Sequence, residues 1–287
     1  MIDCHFHIWD IKKSYYTWLT PELNELYHTF SIQDYRNTIA PLGIRSAIVV
    51  QAADNIKETV HLLEISSTSP MIKGVIGWID FESKTAVEDL KNLAKNKYFK
   101  GIRPMLQDIE DVTWIGNPEF RKIFETLVTK DLLFEALVKQ EHLPSIIHIA
   151  KQYPDLQIVI NHGAKPMIDG KLDNDKFQEW KRLIKDISSH KNVVCKLSGL
   201  VTECTREHTK EYILPYVKVL IESFSPKRVV WGSDWPVVKL KCSYAEWLIL
   251  SRELLNFLST NEQKNIFENN AKNIYSIGKE YIRRKTK

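Results

Sequence analysis

The amino-acid sequence predicts an α/β fold, a single-domain (β/α)8 barrel of the TIM type. Eight short apolar, β-branched runs alternate with amphipathic stretches along almost the whole chain. Most of the runs are apolar at nearly every position, as expected of parallel strands covered on both faces. The length of 287 residues is ordinary for such a barrel. The predicted strands are Ile2–Ile8, Ser46–Gln51, Gly74–Asp80, Lys100–Met105, Leu132–Val138, Gln157–His162, Val193–Ser198 and Arg228–Ser233.

The amphipathic stretches between these strands predict the helices of the barrel. No linker, low-complexity segment or internal repeat interrupts the pattern, so one domain is expected to cover residues 1–287. An open doubly wound sheet is the alternative, but no glycine-rich phosphate loop follows the first strand. The predicted helices are Lys57–Ser66, Ala86–Lys95, Pro118–Thr129, Leu143–Gln152, Phe177–Ser189 and Glu211–Ser223, and then two C-terminal helices, Tyr244–Leu258 and Glu262–Ile277.

A long loop, residues 10–31, follows the first predicted strand and is rich in aromatic residues. It contains Tyr15, Tyr16, Trp18 and Tyr27. Loops that follow barrel strands lie at the C-terminal face, where barrel enzymes keep their active sites. Two interpretations stay open: a lid or wall of a substrate pocket, or a surface loop whose aromatic side chains pack against the barrel rim.

Composition narrows the function classes. The net charge is +4 and is spread along the chain, apart from Arg283-Arg284-Lys285, so we expect no nucleic-acid partner. No run approaches the ~18 apolar residues of a membrane helix, and no signal peptide is expected at the N-terminus. The four cysteines form no CxxC pair. This usage predicts a reduced, cytoplasmic protein without a zinc–thiolate site.

Two histidines in the first strand are the strongest functional signal. His5 and His7 are two residues apart in MIDCHFHIWD, and such residues point to the same side of a strand. Two imidazoles on one face form half of a metal or proton-transfer site. The side chain of Cys4 is expected to point the opposite way. The alternative is a pair of polar residues in a mobile N-terminus, but the apolar neighbours favour a buried strand.

Polar and titratable residues stand at the carboxyl ends of most predicted strands. In a barrel these ends converge on one point, and buried charge is costly unless it is paired or functional. The joint pattern therefore predicts a functional site at this face. The residues concerned are His5, His7, Trp78, Asp80, Arg103, Glu135, Asn161, His162, Lys196, Ser198 and Asp234.

Asp234 is the first candidate for catalysis. The run Val-Val-Trp-Gly-Ser-Asp-Trp-Pro reads as a buried strand that delivers one carboxylate to the rim. Such a carboxylate beside neutral histidines can bind a divalent ion or take a proton from water. The alternative is an Asp that caps the following segment. His162 is expected to be a metal ligand or a hydrogen-bond donor to the substrate.

Three charged residues on the middle strands are more ambiguous. Arg103 presents a planar fork for carboxylate or carbonyl oxygens, so substrate binding is favoured over a structural ion pair. Glu135 is either an inward ligand or an inward partner of Lys196 or Arg103. Lys196 should point into the barrel, where pairing with Glu135 is the more common role for a lysine.

These residues resemble the amidohydrolase superfamily, and the wider motifs resemble the sugar-lactonase branch of the amidohydrolase-2 group. That branch includes L-fuconolactonase-like and L-rhamnonolactonase-like enzymes and is akin to the 2-pyrone-4,6-dicarboxylate lactonases. The resemblance extends from Ile2 to about Tyr275. The motifs that carry it are IDCHFHIWD, GVIGWID, KGIRPMLQ, LLFEALV, PDLQIVINHGAKP, VVCKLSGLVTE, VVWGSDWPV and NNAKNIYSI.

The resemblance implies a distorted (β/α)8 barrel that hydrolyses a cyclic ester. Asp234 would take a proton from the attacking water, and His162 would share the catalytic role by polarising the lactone carbonyl. The implied substrate-binding residues are Arg103, His5, His7, Trp9, Trp78 and Lys196. The partner is a small-molecule lactone, and the protein is expected to be a monomer or a homodimer.

The resemblance leaves the metal open. Glu135 stands on the fifth strand where many relatives have histidine, and no lysine stands at Arg103, so the binuclear pattern is absent. We expect either one Zn²⁺-like ion or none. The candidate ligands are His5, His7, Glu135, His162 and Asp234. The alternative functions are a metal-dependent amidohydrolase or decarboxylase and, from another class, a barrel that binds a ligand without catalysis.

Overall fold

A computed structural model describes residues 1–278 and confirms the predicted barrel. Eight parallel strands lie in the order β1 to β8, each paired with the next. The basic run Arg283-Arg284-Lys285 lies outside the described residues. The strands are β1 Ile2–Phe6, β2 Ser46–Val50, β3 Ile72–Gly77, β4 Phe99–Ile102, β5 Leu133–Ala136, β6 Ile158–Ile160, β7 Val193–Leu197 and β8 Val229–Trp231.

The barrel closes between β1 and the segment that follows β8. The backbone amide of His7 donates to the carbonyl of Trp235 at 2.7 Å, and the amide of Asp234 donates to the carbonyl of His5 at 2.8 Å. These two bonds join the two strand ends that carry the histidine pair and the aspartate. The same contacts that complete the barrel therefore position these side chains.

Ten helices surround the strands within residues 1–278. Most match the predicted stretches to within a few residues, because the amphipathic period marks their buried faces. They are α1 Ile32–Ile39, α2 Ile56–Thr68, α3 Ala86–Leu93, α4 Arg121–Thr129, α5 Leu143–Gln152, α6 Asp175–Ser188, α7 Lys210–Phe224, α8 Tyr244–Leu254, α9 Thr260–Lys264 and α10 Asn270–Ile274.

Two helical segments differ from the sequence-based prediction. Helix α1 was not predicted, although Ser31 and Asp34 form a capping box at its start. The predicted helix Glu262–Ile277 is divided by a π-helical turn at Asn265–Asn269 between α9 and α10. That turn buries Ile266 and Phe267. The predicted single helix is therefore three consecutive helical segments.

The prediction that Cys4 points away from the histidines is wrong. Cys4 packs with Ile48 and Val50 in a buried cluster, while His5 contacts the buried ammonium group of Lys196. Consecutive residues thus both face the barrel interior. The pairing of β1 with β2 shifts register between Asp3 and Phe6. Such a bulge breaks the alternation of side chains on which the prediction depended.

No helix within residues 1–278 combines the length and the apolar character needed to cross a lipid bilayer.

Candidate active site

Three histidines surround one carboxylate oxygen at the carboxyl end of the barrel. Oδ1 of Asp234 lies 3.5 Å from Nε2 of His7, 3.6 Å from Nε2 of His5 and 3.8 Å from Nε2 of His162. The four side chains come from the ends of β1, β6 and β8, and none is more than 5% exposed. The structure therefore brings together the four residues that the sequence singled out first.

Backbone geometry and one buried carboxylate orient Asp234. The residue has a φ of 59°, which is unusual for a non-glycine residue and is maintained here by the surrounding packing. Just before it, the amide and the hydroxyl of Ser233 donate to Asp3 at 2.8 and 2.6 Å. Asp3 also accepts hydrogen bonds from the hydroxyls of Tyr35 and Tyr244. Asp3 thus anchors the segment that presents Asp234.

A directed chain of hydrogen bonds determines the tautomers of His5 and His7. The ammonium of Lys196, which has only donors, lies 3.1 Å from Nδ1 of His5. The neutral His5 ring therefore carries its proton on Nε2, which lies 3.1 Å from Nε2 of His7. His7 in turn donates from Nδ1 to the carbonyl of Val50 at 2.8 Å. Every donor in this chain has an acceptor.

His162 is oriented by a hydroxyl and sits in a narrow space. Its Nδ1 lies 2.9 Å from the hydroxyl of Ser198. Because Nε2 faces the carboxylate of Asp234, a proton on Nε2 is favoured, and Ser198 then donates to Nδ1. Gly199 lies directly against both site residues: a Cβ there would be 2.5 Å from Nδ1 of His162 and 3.1 Å from Oδ2 of Asp234.

We expect Gly199→Ala to reduce activity by at least about 100-fold, since the misplaced His162 loses its catalytic geometry. The added methyl overlaps the imidazole and also strains a backbone with a φ of +64°. Gly43→Ala is the matched control, because Gly43 has a φ of +71° but nothing within 4 Å of the new Cβ. The measurement is kcat and KM for both variants. Equal losses in the two variants would assign the effect to backbone strain instead of the site.

The charges in this cluster follow from burial and mutual attraction. Burial opposes ionisation of Asp234, but the neighbouring His162 and His7 prevail and lower its pKa. Burial lowers the pKa of His162 to about 3. It also lowers the pKa of His5 and His7, with nearby Lys196 adding to the effect at His5. Near neutral pH the site therefore contains one carboxylate and three neutral imidazoles.

Arg103 and Gln51 supply polar groups beside the histidines. One Arg103 terminal nitrogen donates to the backbone carbonyl of Gln51, and the other, Nη1, lies 3.5 Å from Nε2 of His5. The side-chain amide of Gln51 donates to the backbone carbonyl of Arg103 at 2.6 Å. Nε of Arg103 and Oε1 of Gln51 are buried without a partner in the described structure. Such groups are costly unless a ligand or water satisfies them.

Glu135 and Lys196 form a fully buried ion pair, 2.6 Å apart. This is the pairing that the sequence left open as an alternative. The carboxylate of Glu135 also accepts from the amide of Asn161 and the hydroxyl of Tyr275. Its oxygens are thus occupied by three donors. Lys196 connects this pair to the histidines through His5.

The two tryptophans predicted to contact substrate have different surroundings. Trp9 is buried, packs edge-to-face on Trp18 and Phe30, and donates its indole N–H to the carbonyl of His28. Trp78 follows β3 and is half-buried. Trp9 is thus packed within the long aromatic loop. Within residues 1–278, Trp78 forms no hydrogen bond to another residue of the site.

The aromatic loop reaches the β2 end of the site. The indole N–H of Trp18 donates to the carbonyl of Ala52 at 2.6 Å. The amides of Ala52 and Ala53 in turn donate to the carboxylate of Glu58. These bonds join the loop to the segment after β2, beside Gln51. The loop therefore packs against the barrel rim next to the site, a position consistent with both interpretations of its role.

The donor atoms fit a single divalent ion at one place. One ligand atom each from His5, His7 and Asp234 lies within 4.8 Å of the others. His7 is oriented through a backbone carbonyl, as metal-binding histidines usually are. His5 joins such a set only by giving up its Nε2 proton, because Lys196 occupies Nδ1. Glu135 and His162, the other two predicted ligands, are not part of this group.

Sequence reasoning missed several residues that build the site. Asp3, Gln51 and Gly199 were not singled out, and Ser233 was seen only as part of the strand. A signal existed for Asp3, a charged residue inside an otherwise apolar strand. No comparable signal marked Gly199, whose role depends on its closeness to His162 and Asp234 in space.

Two surface cavities lie away from the histidine cluster. One of about 580 Å³ is lined by residues that include Trp114 and His148, and one of about 480 Å³ is lined by residues that include Lys73 and Lys100. Neither contains a strand-end residue of the cluster. We place the chemistry at the cluster nevertheless, because convergent buried titratable groups are a stronger indication of catalysis than an open depression.

Comparison with known proteins agrees with the fold and identifies the family. A family model described as amidohydrolase matches residues 2–277. An L-fucono-1,5-lactonase of Burkholderia ambifaria is 35% identical over 280 residues, which cover 96% of this chain and 95% of the relative. An L-rhamnono-gamma-lactonase of Scheffersomyces stipitis is 24% identical over 74% of this chain and 69% of the relative. An amidohydrolase structure from Burkholderia multivorans with bound zinc has a TM-score of 0.88 and 26% identity, covering 96% of this chain and 99% of that chain.

Proposed function

We propose that this chain, which belongs to the amidohydrolase family, hydrolyses the cyclic ester of a sugar-acid lactone. The observation that carries the proposal is a buried, ionised Asp234 surrounded by three neutral imidazoles. The resemblance over 96% of the chain to an enzyme named for L-fucono-1,5-lactone supports the substrate class. The enzyme is a carboxylic-ester hydrolase.

In the proposed reaction, Asp234 accepts a proton from a water molecule whose oxygen attacks the lactone carbonyl carbon. The bond between that carbon and the ring oxygen then breaks. The leaving ring oxygen recovers the proton from Asp234, so the products are one hydroxyl group and one carboxylic acid. His162 and His7 lower the pKa of Asp234, so the carboxylate is ionised at neutral pH and is ready before the substrate arrives.

Arg103 and His162 stabilise the negative charge that develops on the carbonyl oxygen. The guanidinium Nε of Arg103 has no partner among residues 1–278, and the Nε2 proton of His162 faces the space beside Asp234. Donors fixed in advance in a buried site contribute strongly to catalysis of acyl transfer. In this proposal His5, His7, Trp9, Trp78 and Lys196 complete the binding surroundings, with Lys196 acting through His5.

A divalent ion is compatible with this proposal and is not required by it. The residues that would hold it are His5, His7 and Asp234, and Zn²⁺ suits this nitrogen and oxygen donor set. When bound there, the ion supplies Lewis-acid polarisation and a more acidic water. The proton transfer and the charge stabilisation described above are carried out by the residues of the chain. We also propose a cytoplasmic location, because all four cysteines are free thiols.

The proposal is tested by a pH-indicator assay of the purified protein on a panel of sugar 1,4- and 1,5-lactones. L-Fucono- and L-rhamnono-lactones are included, each with and without a chelator. We expect acid release from one stereochemical group of lactones. Activity that survives the chelator shows that the residues suffice, and activity restored only by Zn²⁺ shows that the ion participates. No hydrolysis of any lactone, even with Zn²⁺ added, would contradict the proposal and favour decarboxylation or amide hydrolysis.

A further inference from the structure

Three polar side chains form a hydrogen-bonded group beside the catalytic cluster of three histidines and Asp234. We call this group of side chains the polar rim. The ammonium nitrogen of Lys165 lies 2.8 Å from Oε1 of Gln107 and 3.3 Å from Oε1 of Glu203. Gln107 follows β4, Lys165 follows β6 and Glu203 follows β7. The rim therefore connects three of the loops at the carboxyl end of the barrel.

Each rim residue stands three or four positions after a residue that belongs to the catalytic cluster or lies beside it. Each rim residue therefore lies farther from the barrel interior than the residue that precedes it in its pair. Accordingly, Lys165 and Glu203 are 24% and 20% exposed, whereas His162 and Asp234 are each 5% exposed. The rim thus lies between the reacting groups and solvent. The pairs are Arg103 with Gln107, His162 with Lys165, and Gly199 with Glu203.

The backbone connects the rim closely to the candidate site. The amide of Lys165 donates to the carbonyl of His162 at 2.9 Å, so the chain turns tightly between these two residues. Gly199, which lies against His162 and Asp234, is four residues before Glu203. A ligand bound over Asp234 is therefore bordered by the two loops that carry Lys165 and Glu203.

Within residues 1–278, Lys165 has two polar partners, so one of its hydrogen-bond donors remains for such a ligand. An ammonium group has three N–H donors and no acceptor. Gln107 and Glu203 engage two of them. They also fix the direction of the flexible side chain, which reduces the entropy lost on binding.

We propose that Lys165 is a specificity-determining residue whose free N–H donor recognises a ring hydroxyl of the bound sugar lactone. The inference rests on the proposed function, because it assumes a hydroxylated lactone over Asp234. Glu203 and Gln107 act as positioning residues for the ammonium group. Arg103 and His162 recognise the ester in every lactone, whereas Lys165 distinguishes rings that carry hydroxyl groups from rings that lack them.

The test compares two substrates in Lys165→Met and in the wild type. One substrate is the sugar lactone that the wild type hydrolyses best, and the other is δ-valerolactone, a ring without hydroxyl groups. We expect kcat/KM for the sugar lactone to fall about 10–100-fold more than for δ-valerolactone, mainly through KM. Where δ-valerolactone is cleaved too slowly, its inhibition constant against the sugar lactone replaces kcat/KM.

Two further variants complete the experiment. Lys165→Arg keeps a charged donor and should recover part of the preference for the hydroxylated ring. Lys84→Met removes an exposed lysine and should leave kcat/KM for both substrates unchanged. Equal losses for both rings in Lys165→Met, or no loss for either, would overturn the inference. Absence of hydrolysis by the wild type would contradict the proposed function itself, so the two failures are distinguishable.

Discussion

The Asp234→Asn variant should lose lactone hydrolysis by about 10³-fold or more in kcat, which corresponds to about 4 kcal/mol in activation free energy. The amide is nearly isosteric with the carboxylate but cannot accept the proton of the attacking water. The backbone amide of Asp234 forms a hydrogen bond to the carbonyl of His5, and Ser233 forms hydrogen bonds to Asp3. None of these bonds involves the Asp234 side chain. The fold is therefore expected to survive the substitution.

The measurement is steady-state kinetics with the best lactone, with circular dichroism and thermal unfolding to check the fold. Asp80→Asn is the matched control, because Asp80 also follows a barrel strand but is exposed. It should retain wild-type kcat. Full activity of Asp234→Asn, with an unchanged fold, would eliminate the mechanism in which this carboxylate activates water.

The Lys196→Met variant should lower the free energy of unfolding by about 3–5 kcal/mol. Its ammonium is fully buried and lies 2.6 Å from Glu135. Removal leaves the Glu135 carboxylate in the core with only Asn161 and Tyr275 as donors, and an uncompensated buried charge is strongly destabilising. The hydrogen-bond chain through His5 to His7 also loses its first donor, so activity should fall as well.

Equilibrium unfolding in urea measures this effect. Lys272→Met is the control, because Lys272 on α10 pairs with Glu268 of the π-helical turn near the surface, where the two side chains are 47% and 28% exposed. Exposed pairs of this kind contribute at most about 0.5 kcal/mol. The double variant Lys196→Met with Glu135→Gln should regain part of the lost stability, since no charge then remains unpaired. Similar losses for Lys196→Met and Lys272→Met would contradict the role assigned to the buried pair.

Most of the fold could be predicted from local pattern. The eight strands and nearly all the helices have hydrophobic periods that report which faces are buried, and burial dominates the choice of element. Helix α1 escaped because its amphipathic signal is short and lies beside the aromatic loop. The π-helical turn at Asn265–Asn269 has no pattern of its own.

The main residues of the site could be predicted, but not all of the contacts between them. His5, His7, His162 and Asp234 were identified because polar residues at the ends of buried strands need a reason to be there. The bulge between Asp3 and Phe6 was not visible in the sequence, and it brings Cys4 and His5 to the same side. Strand alternation is a local rule, whereas a register shift depends on the neighbouring strand.

The sequence by itself determined the barrel, the edge at which the candidate site lies and the residue types available there. Hydrophobic periodicity and the cost of buried charge are local properties, so they can be read along one chain. Only the tertiary structure decided which partners each polar group has: Lys196 with His5, Gly199 against His162, and Lys165 between Gln107 and Glu203. Hydrogen-bond direction, tautomer and electrostatic coupling depend on distances of a few ångströms between residues far apart in the chain.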